Sequence, residues 1–331
     1  MWCGNNEILE ALKYWGFDKN FPPEIYQEMF RGYDKLFHQL LPAKVKELDA
    51  DRFYIHSSPY FANWGRPESW GIGDSHNWGV WYGQKTFESL DTDLPRFMSE
   101  FGFQSFPEMS TIETYALPED YDIESEVMKS HQRSYIGNGR ILDYMKMYYR
   151  VPTDFEQFIY MTHVLQGLST KMAIEAHRRN MPYCMGSLIW QINDCWPVAS
   201  WSTTDYYHKW KAAHYVMRDC FKEVIVASKW EGDTLAIYAV SDRLEEIQGE
   251  LIIEVLDFQG NSVFLVEKEV NVAANTSTVL WKLNRESLLA GGSENGMMLV
   301  VRLQGGQVLD EKNVYFVYHK DLDLLTPHFS I

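Results

Sequence analysis

The chain has 331 residues, 46 % of them hydrophobic, which is room for one large and one small domain with a full core. A formal net charge of −16 sets it against nucleic acid and anionic membrane surfaces. Four cysteines (Cys3, Cys184, Cys195 and Cys220) form no CxxC pair and are too few for a disulfide scaffold, and no run reaches the roughly 18 apolar residues of a membrane helix.

In chain order, a short apolar run at Met1-Trp2-Cys3 comes first. Pro22-Pro23 then opens a segment in which Ile25, Met29, Tyr33, Leu36, Leu40 and Leu41 recur at three- and four-residue spacing, predicting an amphipathic helix. Apolar segments at 53–56, 78–81, 96–99 and 185–190 predict strands, and 155–179 and 208–221 predict helices. This alternation is the signature of βα units around a parallel sheet. With the opening run it gives about five strands over residues 1–220, where a closed (β/α)8 barrel takes eight, so the expectation is a partial TIM barrel. Between Phe61 and Trp78 lies a Gly-, Asn- and Trp-rich loop suited to folding over a pocket.

From Val224 to Tyr318 apolar and polar residues alternate, with turns at Gly232-Asp233, Gly260-Asn261, Gly291-Gly292 and Gly305-Gly306. About seven short strands predict an immunoglobulin-like sandwich over residues 221–318. Residues 319–331 are expected to be a tail or the start of a further module.

Two glutamates carry the chemical signal. Glu7 follows Gly4-Asn5-Asn6 and Glu100 precedes Phe101-Gly102, each just after an apolar run. A carboxylate at the carboxyl end of a barrel strand is where this architecture keeps its chemistry, and two such groups about 5 to 5.5 Å apart can act as acid and nucleophile in glycoside hydrolysis. Taken singly, Glu7 also fits a helix first turn, where the dipole favours an acid, and Glu100 an ordinary loop carboxylate. His56 and His76 end strands and suit either sugar hydroxyls or a structural hydrogen bond. Asp51, His56, Asp74 and His76 have no metal-ligand spacing, and neither metal nor cofactor is expected.

The neighbours of the glutamates carry a family resemblance. Trp2-Cys3-Gly4-Asn5-Asn6-Glu7 resembles the acid/base motif of glycoside hydrolase family 2 at the end of its fourth barrel strand, and Ser99-Glu100-Phe101-Gly102-Phe103-Gln104-Ser105-Phe106-Pro107 resembles its nucleophile segment on the seventh. Ile55-His56-Ser57-Ser58-Pro59, Asn63-Trp64-Gly65-Arg66-Pro67 and His76-Asn77-Trp78-Gly79-Val80-Trp81 are similar to the β-mannosidase branch, so the chain resembles the carboxyl-terminal half of such an enzyme, from barrel strands four to eight into the sandwich. The resemblance implies Glu7 as general acid and base, Glu100 as nucleophile and Asn6 as partner of the sugar 2-hydroxyl. It further implies that Tyr82 donates to Glu100, that Trp190 floors the sugar and that Trp15 and Trp78 line the walls; core packing is the alternative for each, and explains Trp15 and Trp78 equally well. A β-mannoside or manno-oligosaccharide would be the substrate, and the family's amino-terminal domains and first barrel strands would complete the pocket from outside the chain. The alternatives are a family 2 β-galactosidase, β-glucuronidase or glucosaminidase, or a non-catalytic carbohydrate-binding fragment. The compartment stays open: periplasmic or secreted in a bacterium, lysosomal in an animal.

Overall fold

The computed structural model describes residues 1–325, so most of the expected tail or further module, residues 326–331, lies outside the described residues. The chain divides into two compact units, one of residues 1–85, 92–101 and 183–189, the other of residues 86–91, 102–182 and 190 onward.

The first unit holds six short strands, all paired in parallel, as the βα alternation predicts. Strand β1 (Trp2–Cys3) pairs with β2 (Tyr54–Ile55), and β3 (Ala62–Asn63), β4 (Ser75–Asn77), β5 (Met98–Phe101) and β6 (Ser187–Ile189) form a second sheet in that order. Two expectations shift. The strand predicted at 78–81 lies instead at Ser75–Asn77, three buried polar residues; Trp78, Val80 and Trp81 form a buried turn that is apolar because it is covered, not because it is extended. The strand predicted at 96–99 runs to Phe101, which puts Glu100 inside it. In addition β3 falls within the loop predicted after Phe61.

The predicted amphipathic helix runs from Pro23 to Leu48, but Asp34–Leu40 is a π-helical stretch between α-helical Pro23–Tyr33 and Leu41–Leu48. In a π-turn each hydrogen bond spans five residues rather than four, so the inward stripe widens. Met29, Tyr33, Phe37 and Leu41, each four residues on from the last, face the small core with Leu12, whereas Leu36 and Leu40 are 40 % and 51 % exposed. Those two leucines, and Ile25 at 41 %, therefore depart from the predicted face.

In the second unit the helix predicted at 155–179 spans Phe155–Arg179, started by Asp154, whose side chain accepts from Gln157 N. The later helix is shorter than predicted, Ala212–Cys220. Seven antiparallel strands follow: β7 (Val224–Glu231), β8 (Thr234–Ser241), β9 (Ile247–Asp257), β10 (Ser262–Val272), β11 (Thr276–Asn284), β12 (Met297–Gln304) and β13 (Val308–Tyr315). They form sheets ordered β10-β9-β12-β13 and β11-β8-β7. Alternation does what it must: Leu251, Ile253 and Val255 meet Leu299, Val301 and Leu303, and Leu235 and Ile237 join the same fully buried cluster. Beyond the sandwich, Leu322 is buried and its carbonyl accepts from Arg150 Nη2 at 3.0 Å, so the start of the expected tail is packed.

Candidate active site

Both glutamates belong to the first unit, and ordinary backbone constraints bring them there. After β1, Gly4 passes so close to β2 that a Cβ would stand 2.5 Å from the Tyr54 hydroxyl and 2.6 Å from the His56 carbonyl, so only glycine fits. Asn5 then locks the turn: its Nδ2 donates to His56 O at 2.7 Å and Tyr33 Oη at 3.3 Å, and its Oδ1 accepts from Ser57 Oγ and Ile8 N, each at 3.0 Å. Glu7 follows at φ 59°, a left-handed conformation uncommon outside glycine, held by its N–H donating to Ser58 O at 2.8 Å. It precedes the helix Ile8–Tyr14, yet its side chain caps no helix N–H. The carboxylate turns instead to His76, whose Nδ1 lies 2.6 Å from Glu7 Oε1. The helix-dipole reading of Glu7 therefore gives way to a side-chain role.

Glu100 is buried in β5, directly opposite His76 in the β4–β5 register. The Trp78 indole N–H donates to its Oε1 at 2.9 Å, and His76 Nδ1 stands 3.6 Å from its Oε2. Donor atoms of Glu7, His76 and Glu100 all lie within 4.8 Å of one another. Burial, the largest cause, raises the Glu100 pKa, and the nearby Glu7 charge adds to it; His76 and the Trp78 hydrogen bond work the other way.

Donor atoms this close also raise the question of a metal ion. Two tetrahedral ligands about 2.0–2.2 Å from one ion stand roughly 3.3–3.6 Å apart. The 2.6 Å contact between Glu7 and His76 is shorter than that and is a hydrogen bond carried by a proton.

Other expected residues fall as follows. Asn6 is exposed beside Glu7, and no hydrogen bond engages its side chain among the described residues. Trp78 is both buried and bonded to Glu100, which joins the two readings the sequence leaves open. It makes the kind of contact to the nucleophile candidate that the resemblance implies for Tyr82, which packs edge-on against Trp78 at 5.7 Å. Trp15, at the end of the helix Ile8–Tyr14, is 57 % exposed, so the core reading fails for it. Trp190 belongs to the second unit, where its carbonyl oxygen lies 2.1 Å from the position a Cβ on Gly102 would take. The His56 ring meets those of Tyr33, His38 and Tyr60, and burial lowers its pKa.

His76 does more than the sequence predicts, and Ser58, Asp74 and Ser99 form a set behind it. Ser58 Oγ lies 3.0 Å from His76 Nε2, and Asp74 Oδ2 accepts from Ser58 Oγ and Ser99 Oγ, each at 2.6 Å. Residue type alone gives no signal for them. A second anchor is Arg66, from the irregular loop, which pairs bidentately with Glu10, three residues after Glu7, and whose guanidinium covers the Tyr14 ring at 4.4 Å.

Comparison with known proteins gives the chain's relatives. Residues 233–321 match the family described as Mannosidase Ig/CBM-like domain. β-Mannosidase B of Neosartorya fischeri is 30 % identical over 307 residues, 85 % of this chain and 36 % of that protein. β-Mannosidase B of Aspergillus niger is 33 % identical over 242 residues, 70 % of this chain and 28 % of that protein. The solved β-D-mannosidase of Dictyoglomus thermophilum superposes with a TM-score of 0.86 at 32 % identity, covering 98 % of this chain and 38 % of that one. The exo-chitosanase CsxA of Amycolatopsis orientalis, at TM-score 0.57 and 14 % identity over 70 % of this chain and 29 % of that one, shares the fold alone. The chain is thus similar to glycoside hydrolases. Within them it resembles the carboxyl-terminal half of family 2 β-mannosidases, and it spans little more than a third of the length of the first curated relatives it matches.

Proposed function

We propose that this chain supplies both catalytic carboxylates of a retaining exo-β-mannosidase, which removes terminal non-reducing β-D-mannose through a covalent glycosyl-enzyme. The observation that carries the reading is the spacing: one carboxylate oxygen of Glu7 lies within 4.8 Å of one carboxylate oxygen of Glu100. That separation suits direct attack by one carboxylate, whereas an inverting site needs roughly 6.5–9.5 Å to admit water. Strands β1, β2, β4, β5 and β6 would be barrel strands four to eight.

In the first step a Glu100 oxygen would bond to the anomeric carbon as the glycosidic bond breaks, and Glu7 would give its proton to the departing oxygen. In the second, Glu7 would take a proton from water as that water displaces Glu100. Trp78 holds the nucleophile in place through its indole N–H. The unengaged, exposed Asn6 amide would bind the 2-hydroxyl, Tyr82 would donate to Glu100, and Trp15 would line the pocket, the roles that the resemblance implies. Mannose as the substrate sugar follows from the relatives' names, and completion of the pocket would come from amino-terminal domains of the kind those relatives have room for.

The test is to incubate the chain, and a form extended at its amino end, with an activated 2-deoxy-2-fluoro-β-mannoside and to map the adduct by mass spectrometry. A mannosyl ester on the peptide containing Glu100, with β-mannose as the first-formed product of an aryl β-mannoside, is expected. α-Mannose as first product would overturn the retaining reading, and an adduct on another carboxylate would overturn the assignment of Glu100.

A further inference from the structure

Donors and acceptors around His76 fix where its protons sit. The Asp74 carboxylate accepts from Tyr60 N at 2.7 Å on Oδ1, and from the Ser58 and Ser99 hydroxyls at 2.6 Å each on Oδ2. A carboxylate can only accept, so the single hydroxyl hydrogen of Ser58 is committed to Asp74. Toward His76 Nε2, 3.0 Å away, Ser58 Oγ can then only accept, and Nε2 must carry a hydrogen. At the other end of the ring, Nδ1 and Glu7 Oε1 approach to 2.6 Å, which requires one further proton between them. It belongs either to a neutral Glu7 donating to the bare nitrogen or to an imidazolium donating to the carboxylate. Either way the pair holds one proton beyond the Nε2 hydrogen. With His76 only 1 % exposed, bulk water does not compete for these bonds.

We propose that His76, backed by Ser58 and Asp74, is a positioning residue that stores the acid's proton on the Glu7 contact before substrate arrives. The inference rests on the acid/base reading of Glu7. Each turnover would take this proton out on the leaving oxygen as the glycosidic bond breaks, leave Glu7 a carboxylate, and return one proton from the water of the second step, so the count closes. Asp74 also holds Ser99, the residue before Glu100, so a single carboxylate anchors the settings of both glutamates.

Two measurements decide it. The first is the nitrogen-15 spectrum of the histidine-labelled chain at neutral pH, with His76 assigned by its loss in His76→Gln. A protonated Nε2, and loss of that fixed tautomer in Ser58→Ala, is expected; an unprotonated Nε2 in the wild-type chain would overturn the relay. The second is kcat/KM for aryl β-mannosides with good and poor phenol leaving groups. Ser58→Ala and His76→Gln should each lose at least tenfold more on the poor leaving group than on dinitrophenol, because only the former needs the stored proton. Equal losses on both would make the role merely structural and overturn the proposal. A form extended at its amino end that cleaves none of these substrates would defeat the glycosidase reading, while the nitrogen spectrum would still decide whether the relay exists.

Discussion

At the scale of single residues, Glu100 shows how a site for chemistry costs stability. Its pKa is raised chiefly by burial, so its ionised form is better solvated in the unfolded chain. The sign follows: the stability this group contributes is present below its unfolded pKa and is lost as pH rises through the folded one. Glu100→Gln should therefore raise the melting temperature near pH 7, a gain that fades as the solution is acidified through the glutamate range; on the proposed function, a form extended at its amino end should lose at least about 10⁴-fold of its turnover of an aryl β-mannoside. Glu7→Gln should cost about 10²- to 10⁴-fold on poor leaving groups and far less on dinitrophenyl mannoside. A different residue makes the opposite pH argument. Lys211 is completely buried in the second unit, with its pKa pushed down to about 8 by burial and partly restored by Asp194 and Asp205. Between that value and the ordinary lysine value, 10.5, the unfolded chain binds more protons, so stability carried by Lys211 rises with pH. Urea melts at pH 7.5 and pH 10 should show wild type gaining on Lys211→Met over that interval.

Among elements, the turn between β1 and the helix Ile8–Tyr14 depends on close approach. Adding a methyl group at Gly4 forces the Tyr54 hydroxyl and the His56 carbonyl aside, which should cost roughly 1–3 kcal/mol and move Glu7 off His76. Denaturant melts would read the first effect and the His76 nitrogen shift the second. The irregular loop is tied to the same helix by the Arg66–Glu10 pair, both side chains largely buried. Breaking a buried pair from one side leaves a charge uncompensated, so Arg66→Met should lose about 3 kcal/mol and open the 61–74 segment to limited proteolysis. Cleavage elsewhere first would count against this tether.

Over the whole chain, the two units differ in how they are held. The sandwich has a continuous apolar core from β7 to β13, and Ile253→Ala inside it should cost about 2–5 kcal/mol. The first unit has very short strands, a core cluster of Leu12, Tyr33 and Phe37, and exposed apolar side chains that include Trp2, Leu40, Leu48 and Phe53. Hydrogen exchange should therefore find the strands between Val224 and Tyr315 the slowest amides and β1 and β2 among the fastest. Sedimentation should show association that grows with protein concentration, because an apolar edge strand recruits partners. Uniform protection across both units would contradict this division.

The sequence by itself determined the sandwich and the parallel pairing of the first unit, and it singled out two glutamates that the structure brings together. Alternation of period two produces the sandwich wherever one sheet face is buried, and it reads correctly from Leu251 to Val255 because each residue's face follows from its own position in the strand. Small and amide residues beside a carboxylate mark Glu7 and Glu100 for a similar local reason. Tertiary structure alone decided the rest. Strand β4 is invisible to hydropathy since Ser75, His76 and Asn77 are polar and buried together, and the π-turn at Asp34–Leu40 redirects the helix face from Leu36 and Leu40 to Phe37. His76, Ser58 and Asp74 acquire meaning only from distances between residues far apart in the chain, because the location of a proton depends on which acceptor each hydroxyl has already met, and no local pattern encodes that.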